Sequence, residues 1–165
     1  MSDAERRADG AIWYFAYGSN MSPTIFLERR EMHPLATSRA RLDGYRLVFD
    51  IPVGSGERGV ANVEPRAGAH VWGVAYLLLL EECGRLDRTE GVDGGLYARI
   101  AVEVLLDDER RLAAFTYRSS IAVNGRKPSP RYIGLLLEGA RRHQLPVDYV
   151  KNLEALTLAV DERQT

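Results

Sequence analysis

"YARIAVEVLLDDERRLAAFTYRS", residues 97–119, sets two runs rich in β-branched and aromatic residues on either side of a short polar stretch, Asp107 to Arg110. That pattern is a β-hairpin, with strands over 97–106 and 111–119. Working back toward the N-terminus, "HVWGVAYLL" (70–78), "GVANVEP" (59–65) and "GYRLVFDI" (44–51) read as three more strands. The last of these alternates Tyr45, Leu47, Phe49 and Ile51 against Arg46, Val48 and Asp50, the two-residue period of a half-buried strand. Residues 13–17 add a first strand. Past the hairpin the period lengthens. "PSPRYIGLLLEGARRHQL" (128–145) opens with Ser129 as cap and Pro130 in the first turn, and places Ile133, Leu136, Leu137 and Ala140 on one helical face. "PVDYVKNLEAL" (146–156) reads as a last helix, "LLEECGRLDRTE" (79–90) as a short one, and "SPTIFLERR" (22–30) as another, capped by Ser22 with Pro23 behind it. Strands that are near neighbours in sequence, with few helices between them, predict an α+β arrangement: a curled or closed antiparallel or mixed sheet with helices packed outside.

A chain of 165 residues fits one domain, 1–165, with residues 1–11 expected to form a flexible N-terminal tail. Twenty-two Lys and Arg against 23 Asp and Glu leave a formal net charge of -1, so no overall field draws the chain to nucleic acid or to an anionic membrane. The Arg pairs at 29–30, 110–111 and 141–142 read as solvated helix ends and turns, and no basic aromatic stripe joins them. The single cysteine, Cys83, cannot form an internal disulfide and reads as a helix-packing residue in a reducing compartment. A polar, charged start and a longest apolar run, "VAYLLLL", far too short to span a bilayer predict a cytoplasmic protein without membrane association. His33, His70 and His143 fall at no metal spacing, and no GxSxG, CxxC, Walker or GxGxxG motif is present. Neither a metal nor a cofactor is expected.

Two features carry chemistry. "WYFAYGSNM" (13–21) runs from a strand straight into Gly18, Ser19 and Asn20 and then into a helix start. Successive backbone N–H groups in such a turn can hold a carboxylate or a developing oxyanion, although three such residues also make an ordinary strand-to-helix connection. Glu90 stands where a short helix breaks into Gly91, Gly94 and Gly95 before the Tyr97 strand. A carboxylate there can point into the mouth of a barrel or simply out into water.

With "FAYGSNM", "VWGVAYLL", "LDRTEGVDGGLYARIAVEV" and "PSPRYIGLLLEGARRHQLPVDYVKNLEAL" in this order and spacing, the chain resembles the γ-glutamylcyclotransferase family from about residue 13 to residue 156. The resemblance implies a small closed or nearly closed mixed β-barrel of about six strands flanked by α-helices. It also implies an enzyme that releases 5-oxoproline from γ-glutamyl compounds without net use of water, working on a small-molecule substrate as a monomer or homodimer. Carried over by position, it makes Glu90 the catalytic acid and base and gives the substrate-binding turn to Tyr17, Gly18, Ser19 and Asn20. Tyr97 matches the tyrosine that follows the family's Glu-Gly segment, while Tyr117 and Tyr132 fall where the family has aromatic hydroxyls near the pocket, with core packing as the other reading of both. Met21 replaces a leucine at little change in volume. The connection over 51–69 carries no recognisable motif and is where substrate selection is expected. Other readings of the same fold are a cyclotransferase for γ-glutamylamines, one that removes a γ-glutamyl protecting group in a biosynthetic pathway, and a small-molecule-binding module without turnover.

Overall fold

In a computed structural model of the chain, residues 10–160 are described. Five strands, β1 (Ala11–Ala16), β2 (Ala36–Pro52), β3 (Gly59–Leu79), β4 (Ala98–Leu106) and β5 (Arg111–Arg118), close into a barrel in the order β1-β3-β2-β4-β5. All neighbours run antiparallel except β1 and β5, whose parallel contact pairs Tyr14 with Phe115, so the barrel is mixed. The hairpin read over 97–119 is β4 and β5, with Ala98 opposite Arg118 and Leu105 opposite Arg111.

The barrel has five strands because the segments read separately over 59–65 and 70–78 are one long strand, β3. The stretch between them, Arg66 to Ala69 after Pro65, resembles a turn in sequence, yet β2 follows β3 along both halves. The ladder steps from Asp43–His70 to Tyr45–Pro65, and the extra residues bulge outward, with Gly44 and Gly68 at φ 82° and 81°. Glycine adopts that left-handed conformation without the Cβ clash other residues meet. β2 starts at Ala36 rather than Gly44 for a related reason. Its first half, "ATSRARLD", is short of β-branched and aromatic residues and becomes a strand by pairing with the His70–Leu77 half of β3.

A 3-10 turn (Ser19–Met21) and a π-helical segment (Thr24–Arg29) follow β1; α1 (Leu80–Thr89), α2 (Pro130–Arg142) and α3 (Val147–Glu154) complete the fold. Both serine caps read from sequence form: Ser22 Oγ accepts the Ile25 N–H at 3.3 Å and Ser129 Oγ the Tyr132 N–H at 3.1 Å. Phe15, Leu42, Val63, Val71 and Val104, drawn from the strands alone, fill the barrel. A second core joins the other face of β1 and β3 to the helices, where Phe26 stacks on Tyr76 at 4.1 Å between centroids and Met21, Cys83 and Leu136 are fully buried. Burial pushes the Cys83 thiol up to about 11, as suits a packing residue. Residues 1–9 of the expected tail lie outside the described residues, and Ala11 already opens β1. Among the described residues no helix is long and apolar enough to cross a membrane.

Candidate active site

β1 ends at Ala16 and delivers Tyr17 and Gly18 into the 3-10 turn, while α1 ends on Glu90, whose own N–H still bonds to Leu86 O at 2.9 Å. These two element ends meet. Asn20 Nδ2 donates to Glu90 Oε1 at 2.8 Å, across 70 residues of sequence, and to Tyr14 Oη at 2.9 Å. The turn is fixed from behind by Tyr76, whose hydroxyl donates to Asn20 O at 2.9 Å.

Three more tyrosines close the space around Glu90, each tied by its hydroxyl. Tyr97 donates to Ala61 O at 2.8 Å, and Tyr132 Oη accepts the Ala61 N–H at 3.0 Å while lying against the Ser19 backbone N–H. Tyr117 donates to Asp87 Oδ1 at 2.6 Å, and its carbonyl accepts the Tyr17 hydroxyl at 2.5 Å. Arg99 Nε bonds the same Asp87 oxygen at 2.6 Å, so the last turn of α1 is anchored to both β4 and β5. Gly18 lies where a Cβ would come within 3.1 Å of Tyr132 Oη, which keeps turn and tyrosine in close register.

Every site residue named from the sequence, Glu90, the Tyr17–Asn20 turn, Tyr97, Tyr117 and Tyr132, lines one narrow cavity of about 40 Å³. Tyr14 and Ala61 line it too and were missed. A buried strand tyrosine such as Tyr14 carries no local mark separating it from core, and Ala61 contributes backbone groups. Two wider spaces adjoin at Tyr132, one of about 480 Å³ bordered by Ser19, Arg30 and Thr89, and one of about 300 Å³ bordered by Val53, Arg58 and Gly59. Of the 51–69 connection, the residues from Gly59 onward belong to β3, so its irregular part at the second space is the turn over 53–58.

Burial raises the Glu90 carboxyl above its ordinary range; the Arg30 charge and the Asn20 hydrogen bond pull it partway back. Tyr14, Tyr17, Tyr97, Tyr117 and Tyr132 are all pushed upward, chiefly by desolvation, and stay neutral at working pH. Among the described residues no cluster of His, Cys, Asp and Glu could hold a metal ion. The cavity thus sets one ionisable carboxyl among neutral hydroxyls, and a carboxyl so placed can exchange a proton with a bound ligand.

Residues 70–153 match the AIG2-like family. The chain is 31% identical to bovine (Bos taurus) γ-glutamylcyclotransferase over 156 residues, covering 92% of this chain and 82% of that one. It is 32% identical to the human (Homo sapiens) γ-glutamylcyclotransferase over 149 residues, 87% of this chain and 77% of the relative. A solved structure of a γ-glutamyl cyclotransferase superposes with a TM-score of 0.83 at 26% identity, covering 94% of this chain and 92% of the other. With similarity of this extent in both sequence and fold, the chain belongs to the γ-glutamylcyclotransferase family of enzymes, within the AIG2-like group.

Proposed function

We propose that this chain is a γ-glutamylcyclotransferase in which Glu90 carries the proton transfers and the Tyr17–Asn20 turn holds the glutamyl end. The observation that carries the reading is the contact of Asn20 with Glu90 inside a tyrosine-lined cavity, in a chain of this family. The α-amine of a γ-glutamyl group is mostly protonated near neutral pH and cannot attack until it loses a proton. Glu90, its affinity for protons raised by burial, takes that proton. The freed nitrogen attacks the γ-carbonyl carbon, the ring C–N bond forms, and the carbonyl electrons move onto oxygen. As the tetrahedral centre collapses, the bond to the departing nitrogen breaks and Glu90 returns its proton there; the second proton released by the ring nitrogen leaves with the product amine as ammonium. No water is consumed.

Because attack is intramolecular, the site's main task is to hold a flexible chain folded. A narrow cavity beside the turn suits that task, with backbone N–H groups of the turn binding substrate oxygen, as carboxylate or as oxyanion. The leaving amine emerges toward the wider space at Arg30, whose Nε is buried without a hydrogen-bond partner. A cation there favours leaving groups with a carboxylate, γ-glutamyl amino acids over γ-glutamylamines. The reaction needs no cofactor, and the buried, reduced Cys83 suits a cytoplasmic setting. The test is incubation of the purified protein with a panel of γ-glutamyl amino acids and amines, with 5-oxoproline measured by chromatography. Release above the uncatalysed background is expected; its absence across the panel overturns the assignment.

A further inference from the structure

We infer that the Asn20 side-chain amide nitrogen positions Glu90 and is not a donor to the substrate: it holds Oε1 and leaves Oε2 as the oxygen that exchanges the proton. The inference rests on the reading of Glu90 as the base. An amide nitrogen has two hydrogens to give. Both are committed, one to Glu90 Oε1 at 2.8 Å and one to Tyr14 Oη at 2.9 Å. The amide oxygen is buried and faces no donor, and the residue as a whole is 4% exposed. The amide nitrogen therefore has no hydrogen left for a ligand, and the N–H donors that the turn offers a substrate are those of its backbone. Tyr14, itself 4% exposed, and the Tyr76 hydroxyl on Asn20 O fix the amide so that its bond to Glu90 keeps one geometry. The bond also favours the ionised carboxylate, the form a base requires.

The groups whose charge or hydroxyl reaches Glu90 from other elements are Arg30 and Tyr14, Tyr17, Tyr97, Tyr117 and Tyr132. Burial keeps these tyrosines neutral. Asp87, on the same helix, is engaged by Tyr117 and Arg99. Glu90 is thus the one carboxyl among the residues that line the cavity.

The test is a carbon-13 NMR titration of the Glu90 carboxyl in substrate-free parent, Asn20→Asp and Asn20→Ala, with the pH profile of kcat for each. Removal of the donor should move the Glu90 midpoint upward by roughly one pH unit in Asn20→Ala and further in Asn20→Asp, where a second carboxyl repels ionisation. The acid limb of kcat should move with it while KM changes less than threefold. An unmoved midpoint in the variants, or a raised KM with an unmoved acid limb, overturns the inference. If Asn20→Asp fails to fold, Asn20→Ala decides alone. A midpoint that shifts with no matching change in the kcat profile keeps Asn20 as the partner of Glu90 and counts instead against Glu90 as the base.

Discussion

Glu90 is held by one hydrogen bond, from Asn20, in a place where ionisation is unfavourable, and both facts shape what Glu90→Gln should do. Glutamine keeps the shape and can still accept from Asn20, but it cannot take a proton from an ammonium. Loss should appear in kcat, on the order of 10²- to 10⁴-fold, with KM little changed. Stability should move the other way. Glu90 has a folded-state pKa above its unfolded value, so its contribution is fully present below the unfolded pKa and is lost as pH rises through the folded one. Gln never ionises and escapes that loss. The Tm of Glu90→Gln should therefore match the parent in acid and equal or exceed it at neutral pH, measured by calorimetry at both. Retained turnover with a lowered neutral Tm would make Glu90 a structural carboxyl.

At the scale of elements, α2 carries two glycines with opposite consequences. A Cβ on Gly139 would come 2.5 Å from the Met21 backbone carbon and Cβ, because this helix packs directly on the turn that follows Asn20. A Cβ on Gly134 would meet nothing within 4 Å. Alanine is the better helix former by about 1 kcal/mol, so Gly134→Ala should stabilise by up to that amount, read from urea midpoints. Gly139→Ala should instead destabilise by about 1–3 kcal/mol, since helix and turn must separate, and kcat should fall with it as the turn shifts against Glu90. Equal effects at the two positions would mean that α2 does not press on the turn. α1 is set by polar contacts in the same way, with Asp87 bridging its last turn to Tyr117 and Arg99 on the barrel wall.

Across the whole molecule, the barrel gathers ends of β1, α1 and β4 with Tyr117 of β5 and Tyr132 of α2 around one narrow cavity, then opens beside Arg30 into a wider one. Arg30→Gln should raise KM several-fold for a γ-glutamyl amino acid and leave KM for the matched γ-glutamylamine within about twofold, because the pull of Arg30 on Glu90 acts alike on both substrates while only the first leaving group carries a carboxylate. An equal rise in KM for both substrates would leave Arg30 no part in choosing the leaving amine. Much of this architecture is legible in the sequence. Runs rich in β-branched and aromatic residues around the polar break at 107–110 determined the β4–β5 hairpin, the Ser-Pro starts determined two helix caps, and the succession of strands with few intervening helices determined an α+β sheet. These are local properties, decided by neighbours within a few residues. The strand count was not local: residues 64–69 carry the composition of a turn, and only pairing along the whole of β2 makes β3 continuous through them. Nor were the partners of Glu90. The sequence placed a carboxyl at the end of a helix, as apt to face water as a pocket. Closure of the barrel brought Asn20 to 2.8 Å from it, buried it enough to raise its proton affinity, and turned Tyr14 from an ordinary core aromatic into a member of the site, because contacts between residues 70 apart in the chain exist only once the strands between them have paired.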